Sequence, residues 1–423
     1  MIPLPELGLF HNGIMMEINF ENQISILASL LRQYHSIWSP EVMNSYPSSL
    51  NAYPDNWIED LNNLNDESLW RIDTGQSFDD IANQELKELF VRLKEISKFP
   101  TLKTSKLNFS PEDFFKMKDK KRHEIERIVS FLSEKKDISP RVLDIGGGIG
   151  HLARTLSKKM EKEGIIVEAN SDFTRIGKQV NNKLNINNVS YINEYFKKDK
   201  SYHHNQSTMM TGLHACGDLT SDLIQYTVEK DLHDLLSLGC CYFKVRGEGY
   251  NFLSTSGKTL KLDIPKYALT LASRAHTGQK RADFDKKKKV KYYRYALHLF
   301  LFYELGIKDF LEVGESKFSL YSGSFSTYAK EKLNFLNISK NIKDKDLDDF
   351  YASQKTQDTI KRMFLANIVR WRFGRPIEKL IVLDRAIYLK ESGYNIEVGE
   401  IFNENISPRN IAIFATEKLT NKK

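Results

Sequence analysis

Cysteine is scarce in this chain: Cys216, Cys240 and Cys241 are the only three in 423 residues, and two of them are adjacent. A disulfide framework is thereby excluded, and a reducing, intracellular setting, cytoplasmic at its simplest, is expected. Long apolar runs are missing too. The longest, Tyr295 to Tyr303, is roughly half of what spans a bilayer and reads as a buried helix, so no membrane association is expected. The amino terminus carries Glu6, His11 and Glu17 without a basic leader, which argues against a secretory signal. Neither sign of charge dominates. The 62 basic residues against 55 acidic give a formal charge of +7, which permits an anionic partner without demanding one. One basic run is concentrated, KKKKVK at Lys286 to Lys291; it reads as a solvated loop or helix start, with nucleic-acid contact as the alternative. Hydrophobic residues at 41% and charged residues at 28% are typical of globular chains and exclude disorder as the main state.

What is present is sharpest at Arg141 to Leu152, RVLDIGGGIGHL. A short apolar strand ends near an acid, then come a run of glycines and the first turn of a helix. That order suits a nucleotide-like ligand lying against the backbone at the carboxyl end of a first parallel strand. Gly146, Gly148 and Gly150 permit the tight turn, and Asp144 places a carboxylate in the same cleft. Gly148, Gly150 and Ala153 can also be fitted to a dinucleotide fingerprint. A carboxylate beside those amides, however, repels a pyrophosphate. S-adenosylmethionine has no phosphate and carries a sulfonium and an ammonium, so the spacing favours it. Twenty residues after Gly148, Glu168 closes a second apolar run, where an acid meets ribose hydroxyls in either kind of site.

The chain around this turn alternates in period. Residues 1–110 read as a helical amino-terminal region, with Leu, Ile and Phe at three- and four-residue spacing in Ile24 to Tyr34 and Gln84 to Ile96. Residues 111–283 alternate strand and helix through five strands, which predicts a parallel sheet with right-handed crossovers. Residues 284–376 read as a mostly helical insertion, broken at Ser316 to Ser326 and by a polar stretch at Asn341 to Asp358. Residues 377–423 then return to a helix and two strands, a closing antiparallel pair. The expected fold is α/β: a class I methyltransferase-type seven-strand sheet, Rossmann-like, with helical additions.

Ligands in such sheets bind at the carboxyl ends of the strands. The fourth strand, in LHACGD, therefore delivers His214, Cys216 and Asp218 to the rim, and the fifth ends at Cys240 and Cys241. His214 and Asp218 are candidate general bases; Asp218 alternatively caps the helix that follows it. Cys216 is a candidate thiolate nucleophile of the pyrimidine-C5 type, although Ala215 stands where such enzymes usually carry proline. The cysteines also read as packing under a cofactor. A zinc site from His214, Cys216 and Cys240 or Cys241 lacks any C-x-x-C or H-x-x-x-H chelate, and no metal is expected. The Asn/Asp-Pro-Pro-aromatic tetrapeptide of amino-group methylation on nucleobases is absent after the fourth strand.

At MKDKKRHEI (Met117 to Ile125), the glycine turn, LHACGDLT (Leu213 to Thr220), SLGCCYFK (Ser237 to Lys244), Ile377 to Glu391 and SPRNIA (Ser407 to Ala412) the chain resembles the methyltransferase-like protein 25 family. The resemblance implies a class I fold that binds S-adenosylmethionine. It leaves the acceptor open, and Val245 to Leu253 departs from the family's usual continuation after GCCY. Arg409 in the last loop is expected to anchor an acid such as Asp384, or else to bind an acidic acceptor. The expected activity is methyl transfer to a macromolecule, RNA somewhat ahead of protein. The alternative is a catalytically silent protein that keeps the cofactor fold as an interaction platform.

Overall fold

The computed structural model describes residues 19–274, 279–338 and 342–417; the reading of the extreme amino terminus concerns residues that lie outside them. Five helices come first: α1 (Phe20–Gln33), α2 (His35–Trp38), α3 (Asp55–Asn62), α4 (Asp66–Thr74) and α5 (Gln84–Ile96). The α5 span is typical of how they form. Asn83 caps its start by accepting from the Leu86 amide at 3.0 Å, and Leu86, Leu89, Phe90, Leu93 and Ile96 fall on one buried face.

The alternating segment runs α6 (Asp119–Ser133), β1 (Arg141–Ile145), α7 (His151–Met160), β2 (Glu163–Val167), α8 (Ser171–Lys183), β3 (Val189–Ile192), β4 (Thr208–Cys216), α9 (Asp218–Glu229) and β5 (Asp234–Cys240). Then follow α10 (Thr255–Thr259), α11 (Lys266–Ala272), α12 (Arg281–Tyr303), α13 (Phe325–Phe335), α14 (Asp344–Ala352), α15 (Gln354–Trp371), α16 (Gly374–Glu391), β6 (Tyr394–Glu400) and β7 (Ile411–Glu417). The seven strands form one sheet in the order β3-β2-β1-β4-β5-β7-β6. β1 to β5 are parallel and β7 is antiparallel to both its neighbours. The order reverses between β1 and β4, and the crevice outside their carboxyl ends is where such sheets hold ligands.

The polar stretch at Asn341 to Asp358 holds α14 and the start of α15. Ser353 separates α14 from α15 and its side chain accepts from the Thr356 amide. A Ser cap offers the backbone a start that overall polarity hides.

Two layers cover the sheet. α6 and α7 pack Ile128, Phe131 and Leu156 against Met209, Leu236 and Phe414 on one face. On the other, Trp38, Trp57 and Phe90 of the amino-terminal helices share a core with Phe364, Leu380 and Leu223. The first helices and α12 to α16 thus bury their apolar faces on each other. Arg370 Nε donates to the Trp38 carbonyl at 3.1 Å, and Arg362 pairs with Asp55 at 2.6 Å. No described helix is long and apolar enough to cross a membrane.

Candidate cofactor and acceptor site

The glycine turn after β1 is held from below. Tyr191 donates its hydroxyl to the Ile149 carbonyl at 2.8 Å, and Arg154 reaches the same carbonyl from α7. Gly146, Gly148 and Gly150 all have positive φ, at 65°, 59° and 82°, a region costly for residues with a side chain. A Cβ on Gly150 would overlap the Tyr191 hydroxyl and Ile166, whereas one on Gly146 or Gly148 would meet nothing within 4 Å. The turn is therefore packed beneath and open above.

Two acids frame that open floor. Glu168, at the end of β2, accepts from the Gly148 amide at 2.9 Å and the Asn170 amide at 2.8 Å. Asp144 is 1% exposed. Burial pushes its carboxyl up to about 7, with Lys121 opposing and the Glu168 charge adding to the rise. A buried carboxylate so disfavoured gains from a cationic ligand, and the open glycine floor beside it fits S-adenosylmethionine.

His214 lies on β4 with φ of 62°. The register with β5 slips there: Leu213 pairs with Leu238 and Ala215 with Gly239, so His214 is the extra residue of a bulge. Its Nε2 lies 2.8 Å from Oε1 of Glu124 on α6, and the Ser407 hydroxyl donates to the same oxygen at 2.8 Å. Lys121 pairs with the other oxygen at 2.8 Å. Burial pushes Glu124 up, but the His214 hydrogen bond and charge, with Lys121, hold its carboxyl down at about 2. An ionised carboxylate only accepts, so Nε2 carries the hydrogen of that bond. Glu124 and Ser407 were not singled out from the sequence. Both stood inside segments that carry the family resemblance, and a charged residue on the apolar side of α6 was the available signal.

Asp218 begins α9 and is committed elsewhere. Its Oδ2 accepts from the Arg246 amide at 2.6 Å and from Arg246 Nε at 3.0 Å. It thus ties the loop after β5 to the end of β4, while Arg246 also grips Asp222 at 2.8 Å. The loop that follows is fixed by Asp384 of α16, which accepts from Tyr250, the Leu253 and Ser254 amides and the Ser254 hydroxyl. Asp384 is therefore not the partner of Arg409. Arg409 donates to the Arg274 carbonyl at 2.6 Å, so it anchors backbone rather than an acid. The three cysteines do converge, as the strand order requires: their sulfurs lie within 4.8 Å of one another.

The basic run is only partly solvated: Lys286 and Lys289 are exposed. It lies in the early turns of α12, where Lys287 pairs with the buried Asp73 and Lys288 with Asp66 at 2.6 Å. Burial and the neighbouring Arg274 push Lys287 down to about 7. These amines are spent on joining α12 to α4. A cleft of about 730 Å³ opens instead between α4, α5, α16 and the β6–β7 loop, lined by Lys94, Lys98, Arg274, Lys280, Arg372 and Arg375 with Glu378, Glu400 and Glu404. The loop that sends Ser407 to Glu124 also lines this cleft with Pro408 and Asn410.

Residues 120–248 match the Methyltransf_32 family, described as a methyltransferase domain. This chain carries a methyltransferase domain. The matched span holds α6, the glycine turn, both acids, His214 and all three cysteines, and the sheet around it has the class I strand order. The cofactor of such a domain is S-adenosylmethionine. Among solved structures, the magnesium protoporphyrin IX methyltransferase of Synechocystis, solved with bound SAH, is 10% identical over 79% of this chain and 96% of its own, at a TM-score of 0.29. The YcgJ protein of Bacillus subtilis is 18% identical over 27% of this chain, at 0.23; this chain spans 50% of its length. The geranyl diphosphate C-methyltransferase of Streptomyces coelicolor is 8% identical over 38% of this chain and 66% of its own, at 0.22. Nothing about the acceptor rests on these likenesses.

Proposed function

We propose that the protein transfers a methyl group from S-adenosylmethionine to a macromolecule, RNA ahead of protein, as a relative of the methyltransferase-like protein 25 family. The observation that supports this reading is the cleft to which the β6–β7 loop contributes Pro408 and Asn410, whose lining holds six Lys and Arg against three Glu, with Arg375 paired to Glu378 and Glu400 and Arg274 to Asp73. A groove of that size and sign suits a backbone phosphate more than a small acceptor.

The cofactor supplies a methyl on a sulfonium, a group that needs only an aligned nucleophile and exclusion of water. Asp144 and Glu168 would hold the cofactor's cation and ribose, over Gly146, Gly148 and Gly150. His214 takes the acceptor's proton at Nδ1, with Glu124 and Ser407 fixing its ring. Asp218 acts through Arg246 by shaping the wall of the acceptor side, and Cys216 lies beside His214 at the end of the same strand.

Labelled cofactor incubated with the protein and a cell extract tests the reading. Label that disappears with ribonuclease and survives protease supports RNA; the reverse supports protein; label in neither fraction leaves the interaction platform as the better account. Acceptor affinity for RNA should also fall steeply with salt, through counterion release.

A further inference from the structure

The chain's whole complement of cysteine meets at one point on the rim, and the fold achieves this with three separate devices. The His214 bulge shifts the register so that Cys216 pairs with Cys240 across β4 and β5, and paired residues on neighbouring parallel strands put their side chains on one face. β5 ends at Cys240, and the chain then turns, with the Lys244 amide bonded to the Cys241 carbonyl at 2.9 Å. That turn releases Cys241 from strand alternation, so its sulfur joins the other two. The Cys216 and Cys240 sulfurs are 3.1 Å apart, and all three lie within 4.8 Å.

We propose that Cys216, Cys240 and Cys241 bind one zinc ion as a three-thiolate site at the carboxyl ends of β4 and β5. Zn–S bonds of about 2.3 Å set tetrahedral sulfurs about 3.8 Å apart, a spacing that the observed 3.1 Å contact and 4.8 Å limit bracket. Binding replaces three S–H protons, released to solvent, with three Zn–S bonds. Three protein ligands leave the fourth position open, as in zinc sites that hold water or substrate. The missing C-x-x-C spacing is no obstacle, because strand pairing supplies the approach that a local chelate otherwise provides.

Full-length protein, reduced and stripped with a chelator, should be titrated with Co²⁺ as an optical probe and with Zn²⁺ against a chromogenic chelator. The expected result is one metal per chain, a sulfur-to-cobalt charge-transfer band that Zn²⁺ abolishes, and weakening of about 10²-fold or more in each of Cys216→Ser, Cys240→Ser and Cys241→Ser. Calorimetry of S-adenosylmethionine binding on each variant shows that it is folded, and titrating only variants that pass keeps the result readable. No thiolate band, or unchanged metal affinity in folded Cys241→Ser, overturns the proposal. So does a thiol count of one in protein purified without reductant, since Cys216 and Cys240 would then be a disulfide pair. Metal binding without methylation sinks the functional reading alone, and methylation with no metal sinks this one alone.

Discussion

The two ends of the crevice are built in opposite ways. The cofactor end is one stretch of chain: Asp144, Gly146, Gly148, Gly150 and Glu168 lie within 25 residues, and their geometry comes from positive-φ glycines packed over Tyr191 and Ile166. The His214 end, proposed to face the acceptor, is collected from the whole molecule. His214 is bonded to Glu124, 90 residues away, and Glu124 to Ser407, 283 residues away. A site made of backbone tolerates change everywhere except at its own glycines and acids. A site made of long-range hydrogen bonds depends on every element that brings them together.

If the contrast is sound, the two ends separate under mutation. The largest effect is expected for His214→Ala, a loss of turnover of about 10²- to 10⁴-fold with cofactor affinity unchanged; steady-state rates beside calorimetry decide it, and an equal loss in both would merge the two ends. Glu124→Gln should lower turnover less and displace the pH profile, because it removes the charge that fixes the imidazole. Next comes Asp144→Ala, where losing a charged contact of about 1.5–3 kcal/mol weakens S-adenosylmethionine roughly ten- to a hundredfold. Undiminished binding there would leave the choice of ligand unexplained.

Gly150→Ala probes the packed underside of the turn. Strain at positive φ and overlap with Tyr191 should destabilise the chain by roughly 1–3 kcal/mol, read in urea unfolding, while an alanine at Gly146, where a Cβ meets nothing within 4 Å, should show the strain alone. The smallest effect is in pH. Asp144 in the free protein is raised to about 7, so below that value a cationic ligand must displace a proton. Affinity should rise with pH, by at most about tenfold per unit below 7, and flatten above it. Calorimetry in buffers of different ionisation enthalpy should show proton release at pH 6 and little at pH 8.

The same contrast explains what could be read from the sequence. The glycine turn, both acids, the five alternating strands and the closing antiparallel pair were legible, because each is local or follows from period. The convergence of cysteines was legible at one remove, from knowing that the fourth and fifth strands adjoin. Glu124 and Ser407 were not, because nothing in their neighbours says that they will meet. The bulge at His214 was hidden as well, since a histidine at positive φ carries no turn signal of its own. Lys287 and Lys288 looked like solvent-facing charge and are instead bound to Asp73 and Asp66, for partner choice depends on which helix lands beside α12.

The bond between Ser407 and Glu124 also sets an order of events during synthesis. At about 5–20 residues per second, the ribosome delivers Ser407 roughly a quarter of a minute to a minute after Glu124. Once β5 has been made it has no β7 on its outer edge until the last residues follow, while the residues of the glycine turn have been made well before that point. The Ser407 bond to Glu124, the partner of His214, can therefore form only near the end of synthesis, when β7 also becomes available to close the sheet.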